Sequence, residues 1–298
     1  MSVVNWCRRH FLLAAVLLST AVGCAGSQPY RFGAARSVPP ENRGEQQVTV
    51  SRGRPNVVVD SVGWVFGLPE KVLLWDRRVQ NHHVTEGTED EVCEYLASNG
   101  LQDVRVRVNQ YDPLGEWKRL VANKDVGAGY RYTFGTLYWL NYTLLPDRLF
   151  GENNYNPYTN SLNIYSDVPS MAVREAAYAK DVHNRNYPGT YAAVQEFGPV
   201  GMWHQTIATN DALKYYNTVG DAEQSREAYE ILSPQYGMSL GGTLVSGTVG
   251  VLGGAVVGHV AGRVKAATIP DSPKSVSEGS KSKSKIRPVS FTDHDADE

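Results

Sequence analysis

The chain has little of what would assign it to several familiar classes. Cysteine occurs only at Cys7, Cys24 and Cys93. Two of these lie near the amino terminus. A lone Cys93 in the body of the chain excludes an internal disulfide framework there, and no cysteine-rich metal spacing exists. An excess of either charge is also lacking: 29 Lys and Arg stand against 31 Asp and Glu. That balance gives no argument for nucleic acid or for an acidic substrate. Serine nucleophile elbows, P-loops and dinucleotide fingerprints are absent, which removes the common routes to acyl transfer and nucleotide chemistry. Long apolar runs are scarce. Phe11 to Leu18 is too short to span a bilayer, and the one longer stretch, 238–261, is diluted by glycine.

What is present begins with an export segment. Residues 1–23 read as a signal peptide, with a basic region at Arg8, Arg9 and His10 followed by the short apolar run. Ala21-Val22-Gly23-Cys24 resembles a bacterial lipobox. The resemblance implies cleavage before Cys24, lipidation of that cysteine, and a bacterial cell-envelope protein whose domain lies in the periplasm. An ordinary signal peptide cut nearby is the alternative. Arg8 to Leu12 also resembles a twin-arginine export signal. Ala25 does not look like an inner-membrane retention signal, whereas a span at 238–261 would hold the chain in the inner membrane.

Composition divides the remainder. Residues 24–55, polar and rich in Gly, Pro, Arg and Gln, read as a disordered tether. A domain is expected over 56–236, a glycine-zipper segment over 237–262, and a disordered tail over 263–298. Within the domain, Lys71 to Trp75 and Val79 to Val84 read as strands, and Glu89 to Ser98 as a helix closed by Asn99-Gly100. Val104 to Val108 alternates and predicts a strand with one wet face. A helix is expected over Gly115 to Ala122, then a strand at Tyr130 to Phe134 with helix after it. Thr190 to Phe197, Met202 to Tyr216 and Ala222 to Leu232 predict a helical second half. Interleaved strands and helices argue an α+β class. Cys93 sits in a helical pattern and reads as a buried packing residue.

The organising stretch is 153–184. Asn154 to Tyr158 is a polar turn. Ser161 to Tyr165 alternates at period two and predicts a half-buried strand. Ser166 and Asp167 are cap-type residues, Pro169 suits a first helical turn, and Ala172, Val173, Ala176, Ala177 and Val182 recur at helical spacing. This order, an edge strand and then a helix, resembles the zincin metallopeptidases, in a gluzincin-like group. There a His-Glu-x-x-His helix sets two imidazoles on one face for zinc while the Glu activates its water. The matching residues are Arg174-Glu175-Ala176-Ala177-Tyr178-Ala179-Lys180-Asp181. Both histidine positions are replaced, by Arg174 and Tyr178, and Glu175 remains. The resemblance implies a third ligand on a following helix, and that position falls on Gln205, a poor zinc ligand. It therefore implies a zincin-like α+β domain with a small mixed sheet, no bound zinc, Glu175 as a relic, and Arg174 supplying the positive charge of the missing metal.

Three functional readings follow. The first is a non-catalytic envelope lipoprotein that binds a peptide or protein, by strand addition to Ser161–Tyr165. The second is an active zinc peptidase with substitute ligands such as His183 and His204. The third is a structural membrane protein assembling as a homo-oligomer through Gly242, Ser246, Gly250, Gly254, Gly258 and Gly262, which fall four residues apart. The membrane is a partner through the Cys24 lipid and through 238–261 as a span, with close-packed helices or a helical hairpin as the other reading of that stretch. Arg263 and Lys265 after it fit the positive-inside rule. His259 is its single ionisable residue and is expected to bond a neighbouring helix. His82 and His83, adjacent on a strand, would point apart and make poor co-ligands.

Overall fold

The computed structural model describes residues 29–35, 47–150, 152–196, 198–245 and 247–271. The signal peptide, Cys24, Ser246 and most of the expected tail lie outside those residues. The protein is α+β, 64% helical, with one small mixed sheet. Two compact units are distinguished. Among the described residues one comprises 32–71 and 76–193, and the other 29–31, 72–75 and 194–271.

The first unit holds the sheet. Its strands are β1 (Val50–Arg52), β2 (Arg105–Val108), β3 (Asn154–Asn156) and β4 (Ser161–Ile164), in spatial order β1-β2-β4-β3. β1, β2 and β4 are parallel, with Val50, Val106 and Leu162 in one row and Arg52, Val108 and Ile164 in another. β3 runs antiparallel on β4. Around the sheet lie α1 (Val57–Phe66), α2 (Leu68–Leu74, which crosses into the other unit), α3 (Glu86–Ser98), α4 (Pro113–Ala122) and α5 (Ala128–Tyr130). A π-helical turn, Arg131–Gly135, leads into α6 (Thr136–Leu144), and α7 (Asp147–Phe150) follows. The central helix is α8 (Pro169–His183), with α9 (Pro188–Gln195) beyond it.

Several strand expectations are overturned. Lys71 to Leu74 is helical because Pro69 and Glu70 start a helix, a first-turn proline and carboxylate that favour the amino-terminal end. Val79 to Val84 is a loop, and Tyr130 to Phe134 enters the π turn rather than a strand. The wet face predicted for β2 is half-exposed at Arg105 and buried at Arg107. Arg107 is fully enclosed, its Nη1 2.7 Å from Glu116, with Asn163, Tyr142 and Gln110 taking its remaining donors. A charge that finds a carboxylate and three neutral acceptors tolerates burial that an unpaired one would not. β4 is not an edge. It is paired on both sides and all four of its residues are buried. The edges are β1 and β3. Part of the presumed tether is folded as well: β1 begins at Val50, Val48 is buried, and the Gly33 N–H donates to Asn99 Oδ1 at 3.0 Å.

The second unit is a helical assembly of α10 (Gly198–Thr218), α11 (Ala222–Leu244) and α12 (Thr248–Ala267). α11 opens on a reciprocal cap between Asp221 and Gln224 and runs on through Pro234, well past the expected end at Leu232. It stops at Val245. Gly247, at φ +88°, starts α12, so 237–262 is no single helix but a hairpin turn between two. Gly250, Gly254, Gly258 and Gly262 face α11. A Cβ on Gly254 would lie 1.9 Å from the Gly237 carbonyl oxygen, and one on Gly258 would lie 2.4 Å from Pro234 Cα. The partners of the stripe are Gly237 and Gly241, not Gly242, which meets only the Val251 side chain. The close approach is thus spent inside the chain. His259 Nε2 lies 2.7 Å from the Leu73 carbonyl, and its ring stacks on Trp75 at 4.6 Å while Arg263 covers the same indole. Among the described residues no helix is long and apolar enough to cross a membrane.

Candidate functional site

α8 carries the residues that the sequence singles out. Val168 occupies its cap position without a side-chain hydrogen bond, and Pro169 opens the first turn. Ser166 and Asp167 do not cap it. Ser166 Oγ accepts from the Gln80 N–H at 2.8 Å, and Asp167 accepts from Thr85 and Thr88 at the start of α3. The turn before α8 therefore fastens the 79–88 loop, and α8 itself is held by burial on nearly every side.

Arg174 and Glu175 are adjacent and both buried. Arg174 donates through Nε (3.1 Å) and Nη2 (2.5 Å) to Glu175 Oε1. Glu175 Oε2 accepts the backbone N–H of Tyr155 at 3.3 Å. That N–H is the outward-facing donor of edge strand β3, so Glu175 links helix to sheet edge. Both of its oxygens are engaged, one to a cation and one to the backbone. Tyr178, a turn further on, sets its ring edge-on to Tyr155 at 5.6 Å.

Two further carboxylates surround this pair, and sequence spacing gave no hint of them. Glu70 comes from the first turn of α2 and Glu152 from the segment before β3. Burial pushes the Glu70 carboxyl up to about 8, and the charge of Glu152 adds to the rise. The Gln80 amide, which donates to Glu70 Oε2 at 2.6 Å, pulls the other way, as do Arg174 and Lys71, without reversing the shift. Glu70 is thus a neutral acid at pH 7, and its Oε1 is buried with no hydrogen-bond partner. One guanidinium sits among three carboxyl groups. Arg174 is matched by Glu175, and burial raises both Glu70 and Glu152 toward their neutral forms, in each case against the pull of Arg174.

The other expected site residues fall elsewhere. Gln205 lies on α10 in the second unit, its Nε2 3.1 Å from His204 Nε2, while His204 Nδ1 lies 3.1 Å from Gln195 Oε1. His183 closes α8 with both ring nitrogens occupied, Nδ1 by the Ala179 carbonyl at 2.8 Å and Nε2 by Asp103 at 3.1 Å. Burial opposes its charge, but the hydrogen bond and charge of Asp103 raise its pKa above the ordinary histidine value. Substitute ligation by His183 would have to displace both of these bonds. Among the described residues no group of three or more His, Cys, Asp or Glu is placed to hold a metal ion. His82 is buried and His83 exposed, so the two do diverge, though on a loop rather than a strand. Cys93 is a free buried thiol raised to about 12 by burial and by the nearby Glu89 and Asp90, which leaves it protonated and inert.

No family model, curated protein or solved structure matches this chain.

Proposed function

We propose that the chain is a membrane-anchored lipoprotein of the bacterial cell envelope, with a zincin-like domain that has exchanged peptidase chemistry for binding. The observation that carries this reading is the closure of Arg174 onto Glu175. In a zinc peptidase the glutamate at this position needs a free oxygen to activate a metal-bound water. Here one oxygen is held by a guanidinium and the other by the Tyr155 amide. The strand directly before the motif helix, β4, is interior, and the antiparallel edge that Glu175 fastens is β3. The zincin likeness of the architecture rests on that pairing of antiparallel edge and helix.

The binding mode first expected, strand addition to Ser161–Tyr165, is closed by the neighbours of β4 on both sides. The reading moves it to β1, the sheet edge that borders a cleft of about 780 Å³ with residues 84–89. An extended peptide there would pair with Val50–Arg52.

The full chain, purified without added metal, tests the reading through elemental analysis and hydrolysis of an unstructured protein such as casein. The expected result is zinc far below one equivalent and no cleavage. Stoichiometric zinc, together with cleavage that is lost in Glu175→Ala, overturns it.

A further inference from the structure

A second site is lined by none of the carboxyl groups of the Arg174 cluster, nor by Arg174 itself. The parallel strands β1, β2 and β4 end side by side, and their carboxyl ends are where open α/β sheets leave a crevice. Beyond them lies a cleft of about 570 Å³, floored by Gly53, Asn109 and His82 and walled by α1. The Asn109 N–H donates to the Ile164 carbonyl at 3.0 Å, and the His82 N–H donates to the Tyr165 carbonyl at 3.0 Å, so Asn109 continues β2 and the loop residue His82 is pinned just past the end of β4.

The floor is strained and unsatisfied at the same two residues. His82 (φ +54°) and Asn109 (φ +49°) both lie in the left-handed region, and Asn109 Nδ2 donates to the His82 carbonyl at 2.8 Å, locking them together. Left-handed non-glycine residues that persist in pairs mark sites where the surrounding structure enforces a geometry. Both are buried, yet neither His82 ring nitrogen nor Asn109 Oδ1 has a hydrogen-bond partner. Buried polar atoms are nearly always satisfied, and those left open call for an explanation. Glycine lets the chain pack tightly on both residues: a Cβ on Gly63 would come within 2.6 Å of His82 Nε2, and one on Gly53 within 2.1 Å of the Asn109 backbone carbonyl oxygen.

The chemistry of the walls narrows the occupant. The two arginines of the lining are already neutralised, and Lys71, buried and outside the lining, spends its Nζ on the Trp64 and Gln80 carbonyls 5.1 Å from the Trp64 ring centroid. Arg148 forks onto Asp60 at 2.8 and 3.0 Å, and Arg52 pairs with Glu89 at 2.5 Å. His82 is held neutral, since burial takes its pKa down to about 4, Asp60 opposing and Arg148 and Lys71 adding to the fall. The cleft therefore has no spare charge for a phosphate or a carboxylate. It offers a neutral imidazole and an amide oxygen at the bottom and the partly exposed Trp64 and Val65 at the side. A hydroxyl group donates and accepts, so it satisfies an imidazole in either tautomer and an amide oxygen beside it. A peptide brings alternating donors and acceptors suited to a strand edge, not to this floor of side chains.

We propose that this cleft binds an uncharged saccharide, its hydroxyl groups on His82 and Asn109 and its apolar ring face on the Trp64 wall.

Isothermal titration of the full purified chain with cellotriose, triacetylchitotriose, maltotriose, trigalacturonate and trialanine tests it. At least one of the three neutral sugars is expected to bind with Kd below about 1 mM. Trp64→Ala and His82→Phe are each expected to weaken that binding tenfold or more. Trp64 is partly exposed, so Trp64→Ala keeps the wild-type melting temperature and decides the matter alone where His82→Phe fails to fold. Three outcomes overturn the proposal: no neutral sugar binds, trigalacturonate or trialanine binds more tightly than every neutral sugar, or a neutral sugar binds Trp64→Ala as it binds the wild type.

Discussion

Arg174 spends two donors on a single oxygen of its own neighbour, Glu175, and leaves the other oxygen to the Tyr155 amide. A buried pair of this kind contributes little net stability but is costly to break on one side. Arg174→Met is expected to destabilise the chain by about 3–5 kcal/mol, because Glu175 would then be buried without compensation. Arg174→Met with Glu175→Leu should recover most of that loss. Urea denaturation followed by circular dichroism measures both, and an unchanged midpoint in the single variant contradicts the assigned role.

Glu70 makes a pH prediction. Its folded pKa, about 8, lies above its unfolded value, so the folded state holds a proton that the unfolded state has released. The protonated form is favourable below the unfolded value, and stability falls as pH rises from there toward 8. Glu70→Gln, which mimics the neutral acid, should melt like the wild type near pH 4.5 and several degrees higher near pH 8. Equal melting temperatures at both pH values would sink the assignment.

Asp103 and His183 make the converse prediction. The His183 pKa is raised and the Asp103 pKa lowered, in each case against the pull of burial and through their mutual hydrogen bond. The His183 contribution is complete below its unfolded value and fades as pH rises through the folded one. The Asp103 contribution is complete above its unfolded value and fades as pH falls. The pair therefore helps most between the ordinary carboxylate and histidine ranges. Asp103 is 45% exposed, so the effect is partly screened. Melting curves of Asp103→Asn should lie below the wild type near pH 5.5 and converge on it at pH 9. A constant offset across that range would count against the pairing.

Gly254→Ala probes the hairpin of α11 and α12. The added methyl collides with the Gly237 carbonyl oxygen and cannot be relieved by a side-chain rotation. Overpacking of this kind costs about 1–3 kcal/mol. If the stripe instead served contacts between copies, the variant would keep its thermal stability and lose self-association on sedimentation. Gly242→Ala, at a position facing only the Val251 side chain, should be the milder change.

The α+β class, the helix over 169–183 and the burial of Cys93 were legible because each rests on local pattern: periodicity, a first-turn proline, a helical cysteine. Arg107 defeated the same logic. Alternation of Arg and Val in β2 promises a solvated face, and only the arrival of Glu116 from another helix turns that face inward. The glycine spacing promises a close helix approach in a membrane or between copies, whereas the contacts of Gly250, Gly254, Gly258 and Gly262 are with α11, and the partner glycines at 237 and 241 depend on where the chain folds back. Glu70 lies more than a hundred residues from Arg174 and His82 more than eighty from Tyr165, so neither the charge cluster nor the saccharide cleft leaves a contiguous motif. A left-handed histidine has no signature in one sequence.

Tyr30 is buried in the helical unit, its hydroxyl donating to Asp211 at 3.1 Å and its ring edge-on to Tyr215. If Cys24 carries a lipid, only the stretch from 24 to 30 separates the acyl chains from that docked phenol. Six residues at full extension reach about 20 Å. The leash is then far shorter than the thirty-odd polar residues after Cys24 suggest, and the helical unit rides close against the headgroups of whichever leaflet holds the anchor.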